Sequence, residues 1–136
     1  MNFAIKTELR DPQAKTFEFR AQKTMYGGKR IAKGDAIFVF ASENEGGSGL
    51  IASGVVNSAT AVPRKQGIAR QTPRVSLTIR RTALAKRRLG RSELKIFSVW
   101  NDGRPETELN FKFYRQATNK IVGLSEGAAA FLRGFF

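Results

Sequence analysis

The chain has 136 residues, of which 24 are Lys or Arg and 11 are Asp or Glu, so its formal net charge is +13. This length predicts a single domain spanning residues 1–136, large enough to bury a core. The absence of Cys and His excludes disulfides, Ser-His and Cys-His nucleophilic catalysis, and Cys- or His-ligated metal sites, and we expect neither a metal nor a cofactor.

The excess of positive charge indicates a polyanionic partner, and nucleic acid is the first candidate. An anionic membrane surface is the second, but the chain contains no long basic amphipathic helix. No apolar run approaches the roughly 18 residues of a membrane-spanning helix. The first residues include Lys6 and Glu8 and therefore lack the apolar core of a signal peptide. We expect a cytoplasmic protein without membrane association.

Alternating apolar residues predict two strands in the first quarter of the chain. Residues 1–9 alternate weakly, and Asp11-Pro12 ends the segment because proline cannot donate to a strand ladder. Residues 16–22 alternate clearly, with Phe17 and Phe19 on one face and polar or charged side chains on the other. That pattern is typical of a half-buried strand.

Two more strands are predicted on either side of a glycine-rich connection. Residues 36–41 are apolar without alternation and follow the string Lys33-Gly34-Asp35. This predicts a strand covered on both faces, entered through a tight turn. Residues 43–49 form the flexible connection, and residues 50–56 form the next strand, in which Gly54 marks a bulge or a barrel bend.

The middle of the chain predicts a loop, a strand and a short helix. Residues 57–72 have little periodicity and are interpreted as a long loop. Residues 74–80 alternate and form a strand with a cationic outer face. Thr82 is placed to cap a short helix that Gly90 would close.

The last third of the chain predicts a hairpin, a strand and a helix. Residues 94–100 and 109–114 flank Asn101-Asp102-Gly103, which is typical hairpin chemistry. Residues 119–124 predict a final short strand. Ser125 is the predicted N-cap of a C-terminal helix whose apolar side chains recur at helical spacing, namely Ala128, Phe131, Leu132 and Phe135.

These elements, roughly six to eight short strands and two short helices, predict a mostly β (α+β) fold. A curled, mostly antiparallel sheet or barrel, with the helices covering its open ends, fits this pattern best.

The string Lys15-x-x-Glu18-x-Arg20 is the first candidate for a site. A turn passing into a strand would bring its three charged side chains together, and such a cluster supplies donors and an acceptor for a base edge beside a phosphate. The alternative is an ordinary ion pair on a solvated strand face, worth at most about 1 kcal/mol.

Together with Ile31-x-Lys33-Gly34-Asp35-x-Ile37-x-x-Phe40, this string resembles the front half of the ASCH domain, a member of the PUA-like superfamily that also includes EVE and YTH domains. The resemblance covers roughly residues 1–57, and Gln13 stands where the family pattern has glycine. It implies a PUA-like curled antiparallel pseudo-barrel with at least two short covering helices. It also implies a cleft for RNA or a modified base. The expected cleft residues are Lys15, Glu18, Arg20, Tyr26, Lys29 and Arg30.

The distribution of charge indicates a second surface. No acidic residue lies between Glu45 and Glu93. Ten basic residues lie in that interval, and we expect them to contact the nucleic-acid backbone: Arg64, Lys65, Arg70, Arg74, Arg80, Arg81, Lys86, Arg87, Arg88 and Arg91. Such contacts set affinity and its salt dependence without reading sequence. A generic solubilising face is the alternative.

Base stacking would require aromatic rings from outside that interval. The candidates are Tyr26, Trp100 and Tyr114, although burial in the core is the usual role of any large aromatic side chain. Tyr26 is the preferred candidate for an exposed ring near the cleft.

The sequence therefore predicts a nucleic-acid-binding protein, with RNA preferred over DNA. One alternative is a hydrolase of RNA or of a modified nucleoside on the same fold, with Lys15 and Glu18 as the reactive pair. Small ASCH-like amidohydrolases use a Thr nucleophile where this chain has Glu18, which favours binding over catalysis. A structural component of a ribonucleoprotein is the other alternative.

Overall fold

The computed structural model describes all 136 residues and contains six strands in a closed barrel. The strands are β1 (Asn2–Thr7), β2 (Thr16–Met25), β3 (Ala36–Ala41), β4 (Gly49–Ala61), β5 (Arg74–Leu84) and β6 (Lys120–Gly123). Their order around the barrel is β1-β3-β4-β5-β2-β6. The pairs β1–β3 and β2–β6 are parallel and the other four pairs are antiparallel. Closure leaves no free sheet edge.

Three short α-helices pack against the outside of the barrel. They are α1 (Arg91–Leu94), α2 (Pro105–Leu109) and α3 (Glu126–Arg133). A π-helical turn, Asn110–Tyr114, continues α2, and 3-10 turns occupy Gly28–Arg30 and Glu43–Glu45. The predicted fold class is confirmed: this is a mostly β, PUA-like pseudo-barrel with covering helices.

The core has two layers, one on each face of β3. This strand is therefore buried on both faces, as its sequence predicted. Ile37 and Val39 join the cluster that fills the barrel. Phe38 and Phe40 point the other way and pack under the helices, among residues such as Leu94, Leu109, Phe113 and Leu132. Burial of both faces explains why this strand is an unbroken apolar run.

The C-terminal helix begins where its cap predicts. Ser125 Oγ accepts a hydrogen bond from the Ala128 backbone N–H at 3.1 Å, which satisfies one of the free donors of the first turn. Ala128 and Leu132 are buried against the barrel.

The hairpin predicted over residues 94–114 is wrong, since neither arm is a strand: residues 95–104 are turns and loop, and residues 105–114 are helical. Pro105 occupies the first turn of α2, where a missing N–H has no cost. The Asp102 carboxylate accepts hydrogen bonds from the Arg104 backbone N–H at 2.9 Å and the Thr107 hydroxyl at 3.0 Å. The turn chemistry of this segment therefore starts a helix instead of joining two strands.

The short helix predicted to begin at Thr82 is also wrong. β5 continues to Leu84, which lies opposite Ala52 of β4. Pairing along the long β4 strand outweighs the local capping preference of a threonine. No helix in the structure has the length and apolar character needed to cross a membrane.

Candidate nucleic-acid interface

Three adjacent concavities share lining residues along the barrel and are together called the groove. The first, of about 550 Å³, lies at the β4–β5 connection, and the second, of about 320 Å³, lies beside the ends of β1 and β2. The third, of about 550 Å³, lies between residues 7–14 and the start of β2. Lys23 and Arg74 line both the first and the second, while Thr7 and Gln22 line both the second and the third.

A bulge in β2 shapes the middle of this groove. The register of β2 against β5 shifts between Phe19 and Gln22, and Ala21 has a φ of +50°. The Ala21 backbone N–H donates to Ser76 Oγ at 2.9 Å, and Arg74 Nη1 donates to the Ala21 carbonyl oxygen at 2.6 Å. Such bulges redirect the side chains that follow them, and Gln22 accordingly becomes part of the groove wall.

The first concavity is the basic end of the groove. Its lining contains no carboxylate and five cationic side chains, those of Lys23, Lys29, Arg64, Lys65 and Arg74. Lys23 and Arg74 lie directly opposite each other on β2 and β5. Cations gathered in one concavity without intervening acids raise the local concentration of an anionic ligand.

Gln71 holds the loop that forms one wall of the basic end. Its side-chain amide donates to the carbonyl oxygens of Lys65 at 2.6 Å and Ile68 at 3.0 Å, and its amide oxygen accepts from the Lys65 N–H at 2.9 Å. Arg64 Nη2 donates to the Ala69 carbonyl oxygen at 3.1 Å. These bonds give residues 64–71 an internal framework that positions the Arg64 and Lys65 side chains.

The third concavity is the mixed end of the groove, because its lining carries charges of both signs. These are Arg10 and Arg20 against Glu8, Asp11 and Glu18. Arg20 Nε donates to Glu18 Oε1 at 3.2 Å, and both side chains are exposed to solvent. The mixed end therefore offers a donor and an acceptor side by side.

The structure brings only part of the predicted cleft together. Glu18 and Arg20 line the mixed end and Lys29 lines the basic end. Lys15, Tyr26 and Arg30 do not line the groove. Glu18 pairs with Arg20 and forms no ion pair with Lys15.

The ten basic residues of the acid-free interval divide between separate surfaces. Arg64, Lys65 and Arg74 line the groove. Lys86, Arg87 and Arg88 line another concavity of about 370 Å³. Several cations of this interval bond within the chain: Arg81 to Gln13, Arg87 to Gly134, Arg88 to Glu93 and Arg91 to Asn44. Arg70 and Arg80 are exposed but do not line the groove.

Two buried lysines, Lys6 and Lys120, lie close to the groove, and the sequence predicted neither of them as a site residue. Lys6 Nζ donates to the Phe113 carbonyl oxygen at 2.8 Å, and Lys120 Nζ donates to those of Gln116 and Thr118, each at 3.1 Å. Burial lowers the pKa of Lys120 to about 8, assisted by the positive charge of Lys6. Burial also lowers the pKa of Lys6, followed by the effect of Arg91.

These ammonium groups bond the carbonyls at the end of the helical segment that packs over β1 and β6. Lysines at such a position satisfy carbonyls that lack helical partners. The sequence does not indicate that these lysines are buried, because each lies on the face of its strand that points away from the barrel interior. Such a position normally faces solvent. Asn119, adjacent to Lys120, and Thr7, adjacent to Lys6, line the groove.

The three candidate stacking rings have different environments. Tyr114 is only partly exposed, and its hydroxyl donates to Glu43 Oε1 at 2.7 Å. Burial, together with Glu43, raises the pKa of Tyr114. Tyr26 and Trp100 are 42% and 46% exposed, so their rings are open to a ligand.

Comparison with solved structures identifies several with the same fold. The DUF55 domain of human thymocyte nuclear protein 1 aligns with a TM-score of 0.63 and 13% identity over 98% of this chain and 97% of that chain. Human THYN1 protein in complex with 5-methylcytosine containing DNA aligns with a TM-score of 0.65 and 15% identity over 98% of this chain and 95% of that chain. A Pseudomonas syringae protein aligns with a TM-score of 0.59 and 16% identity over the whole of both chains.

These structures share the pseudo-barrel fold that the sequence resemblance implies. At such low identity they establish the fold alone and do not assign the chain to the ASCH family. No protein-family model matches the chain, and no curated protein matches its sequence.

Proposed function

We propose that this protein binds nucleic acid in the groove, with the phosphate backbone at the basic end and a base at the mixed end. The observation that carries the proposal is the basic end itself, where five cations line one concavity without a carboxylate. A net charge of +13 adds long-range attraction for a polyanion. The structural neighbour that was solved with methylated DNA supports the same class of ligand.

The mixed end suits a base because it pairs a donor with an acceptor. The Glu18 carboxylate and the Arg20 guanidinium lie 3.2 Å apart and are both exposed. Carboxylates accept from the amino group of cytosine, and guanidinium groups donate to guanine. Phosphate contacts alone would carry no sequence information. The proposal therefore assigns affinity to the basic end and base preference to the mixed end.

RNA is the proposed polymer, on the strength of the resemblance of residues 1–57 to ASCH domains. The neighbouring structure was solved with DNA that contains 5-methylcytosine, which makes methylated DNA the natural competitor. Competition between RNA, DNA of the same sequence and its methylated form against a labelled single-stranded RNA measures the preference. We expect RNA to compete most strongly.

The test of the groove is the salt dependence of binding in two double variants of equal charge. Lys23→Gln with Lys29→Gln removes two cations from the basic end. Lys33→Gln with Lys95→Gln removes two exposed lysines outside it. Each lost phosphate contact lowers the slope of log K against log salt by about 0.7–0.9. The groove variant should therefore bind all sequences more weakly, with a slope reduced by about 1.4–1.8.

The control variant should keep the wild-type slope, because it has the same net charge as the groove variant but an intact groove. Equal losses in the two variants would show that only net charge matters, and the groove would not be the interface. Binding that does not change between about 50 and 200 mM salt would contradict the electrostatic basis of the proposal.

A further inference from the structure

A cluster of aromatic rings lies on a part of the surface that the groove does not include. Phe111 sits between Tyr26 and Trp100, with ring centroids 5.8 Å and 5.6 Å from its own. Both contacts are tilted or edge-on, an arrangement that aromatic pairs prefer. Tyr26 and Trp100 remain more than two-fifths exposed. Fixed rings with open surfaces are suited to receiving another planar group.

Two arginines adjoin these rings without using their donors inside the chain. The Arg115 guanidinium carbon lies 4.5 Å from the Phe111 centroid and 5.9 Å from that of Trp100. Arg104 lines the concavity beside Trp100. Neither guanidinium has a hydrogen-bonded or ion-paired partner within the chain. Both groups are free to bind an anion bidentately.

Two acids near this concavity, Glu108 and Asp102, accept hydrogen bonds within the chain. Glu108 accepts hydrogen bonds from the Lys112 ammonium at 3.0 Å, from the Ser125 N–H at 2.9 Å and from the Ser125 hydroxyl. Asp102 is bonded to the Arg104 N–H and the Thr107 hydroxyl. Of the charged side chains that line the concavity, Arg104 and Lys112 are cationic and only Glu108 is acidic, so the lining carries a net positive charge.

The size of the concavity indicates what it can hold. Its volume is about 230 Å³, and Trp100 and Phe111 form its aromatic wall. This is below the roughly 300–1,000 Å³ of sites for drug-sized ligands. A single planar ring system fits such a space better than a longer ligand does.

We propose that Trp100, Phe111, Arg104 and Arg115 form a stacking platform for one unpaired base of the bound nucleic acid. The base stacks on Trp100, and the two arginines bind the neighbouring phosphates. This inference rests on the proposed function and adds a second contact outside the groove. Tyr26 lies between the two surfaces, since it packs on Phe111 and directly follows the end of β2, the strand that carries Lys23.

Trp100 is the only tryptophan in the chain, so its own fluorescence reports on this platform. We expect a single-stranded oligonucleotide to quench the emission of the wild type, and the corresponding duplex to quench it far less. Loss of one aromatic stacking partner weakens single-strand binding by about 5- to 150-fold. Trp100→Leu should therefore lose about that much affinity, whereas Trp100→Phe should keep most of it. Arg115→Gln should also weaken binding.

Ile96→Ala is the matched control, because Ile96 is a 74% exposed apolar side chain in the same segment as Trp100. The affinity of Ile96→Ala for the single-stranded oligonucleotide should equal that of the wild type. Circular dichroism checks that each variant is folded. Because Trp100 is partly exposed, we expect its replacement to leave the fold intact.

Three results separate the platform from the groove. Quenching together with a selective loss in Trp100→Leu supports the platform. If Lys23→Gln with Lys29→Gln weakens binding while Trp100→Leu does not, and if ligand leaves the emission of the wild type unchanged, the platform is overturned and the groove stands. The rings would then be a surface for a protein partner. If the wild type binds no nucleic acid, the proposed function itself fails, and the platform fails with it.

Discussion

Lys6 and Lys120 lie directly opposite each other on the antiparallel strands β1 and β6, and each side chain is only 1% exposed. Two ammonium groups side by side in a buried layer repel each other and lose hydration. Hydrogen bonds to the carbonyls of Phe113, Gln116 and Thr118 offset part of that cost. The pair thus connects the barrel wall to the segment that packs over it, and it leaves a measurable dependence on pH.

The stability of the protein should rise as the pH increases from about 8 to about 10.5. Burial lowers the pKa of Lys120 to about 8 in the folded state from 10.5. Between these two pKa values Lys120 is protonated in the unfolded chain and deprotonated in the folded chain. A rise in pH therefore increases the free energy of unfolding. The gain should be of the order of 3 kcal/mol, and urea unfolding at several pH values measures it.

Lys120→Met should lack most of this rise, because it removes the titrating group while keeping an apolar chain of similar length. Lys95→Met removes an exposed lysine and should keep the wild-type profile. A profile for Lys120→Met that rises as steeply as that of the wild type would mean that Lys120 is not the source.

Glu18→Gln should change base preference without changing salt dependence. The proposed role of Glu18 is to accept a hydrogen bond from a base edge at the mixed end of the groove. One such contact discriminates between bases by about 1–3 kcal/mol. Affinities for a panel of homopolymers should therefore become more uniform. The preference for the favoured base over the others should fall by about fivefold or more. A uniform gain in affinity for all homopolymers would instead mean that Glu18 only repels phosphate.

Ala21→Gly should stabilise the fold by about 0.5–1 kcal/mol. Ala21 has a φ of +50° at the β2 bulge, a conformation that costs a side-chain-bearing residue about 1–2 kcal/mol. Glycine removes that strain, and its greater freedom in the unfolded chain cancels part of the gain. Thermal unfolding measures the difference.

Ala59→Gly is the control for this prediction, since Ala59 lies in β4 with an ordinary negative φ. It should be destabilised by about 1 kcal/mol, through lost packing and greater entropy of the unfolded chain. Destabilisation of similar size at Ala21 would show that the bulge tolerates alanine without strain.

Gly49→Ala should destabilise the protein far more than Gly34→Ala. Both glycines have positive φ, of +85° and +92°. A Cβ at Gly49 would lie 2.3 Å from the Leu89 carbonyl oxygen, whereas a Cβ at Gly34 meets nothing within 4 Å. We expect a loss of about 1 kcal/mol at Gly34 from conformation alone and about 2–4 kcal/mol at Gly49. Equal losses would contradict the close approach of β4 to residue 89.

Local signals in the sequence predicted the parts of the fold that depend on local chemistry. The alternation around Phe17 and Phe19 predicted an inward face of β2, and both rings are buried in the barrel. The unbroken run 36–41 predicted a strand covered on both faces. Ser125 predicted the start of α3 because its hydroxyl satisfies a donor only three residues away.

The errors occurred where distant partners outweigh local preference. Residues 101–103 resemble a hairpin turn, but the apolar side chains around them find their partners in the helical layer, where Leu94, Leu109 and Phe113 pack together. Thr82 resembles a helix cap, but β5 continues past it, and Ala83 and Leu84 pair with β4. Neither outcome is visible within a short window of sequence.

The sequence by itself determined the basic character of the protein, most of the barrel strands and the C-terminal helix, because charge, period-two alternation and capping act within a few residues. Only the tertiary structure decided which charges share a surface. Lys23 and Arg74 meet across β2 and β5, and Lys6 meets Lys120 across β1 and β6. Closing the barrel brings these residues together, and barrel closure depends on strand register and on burial across the whole chain.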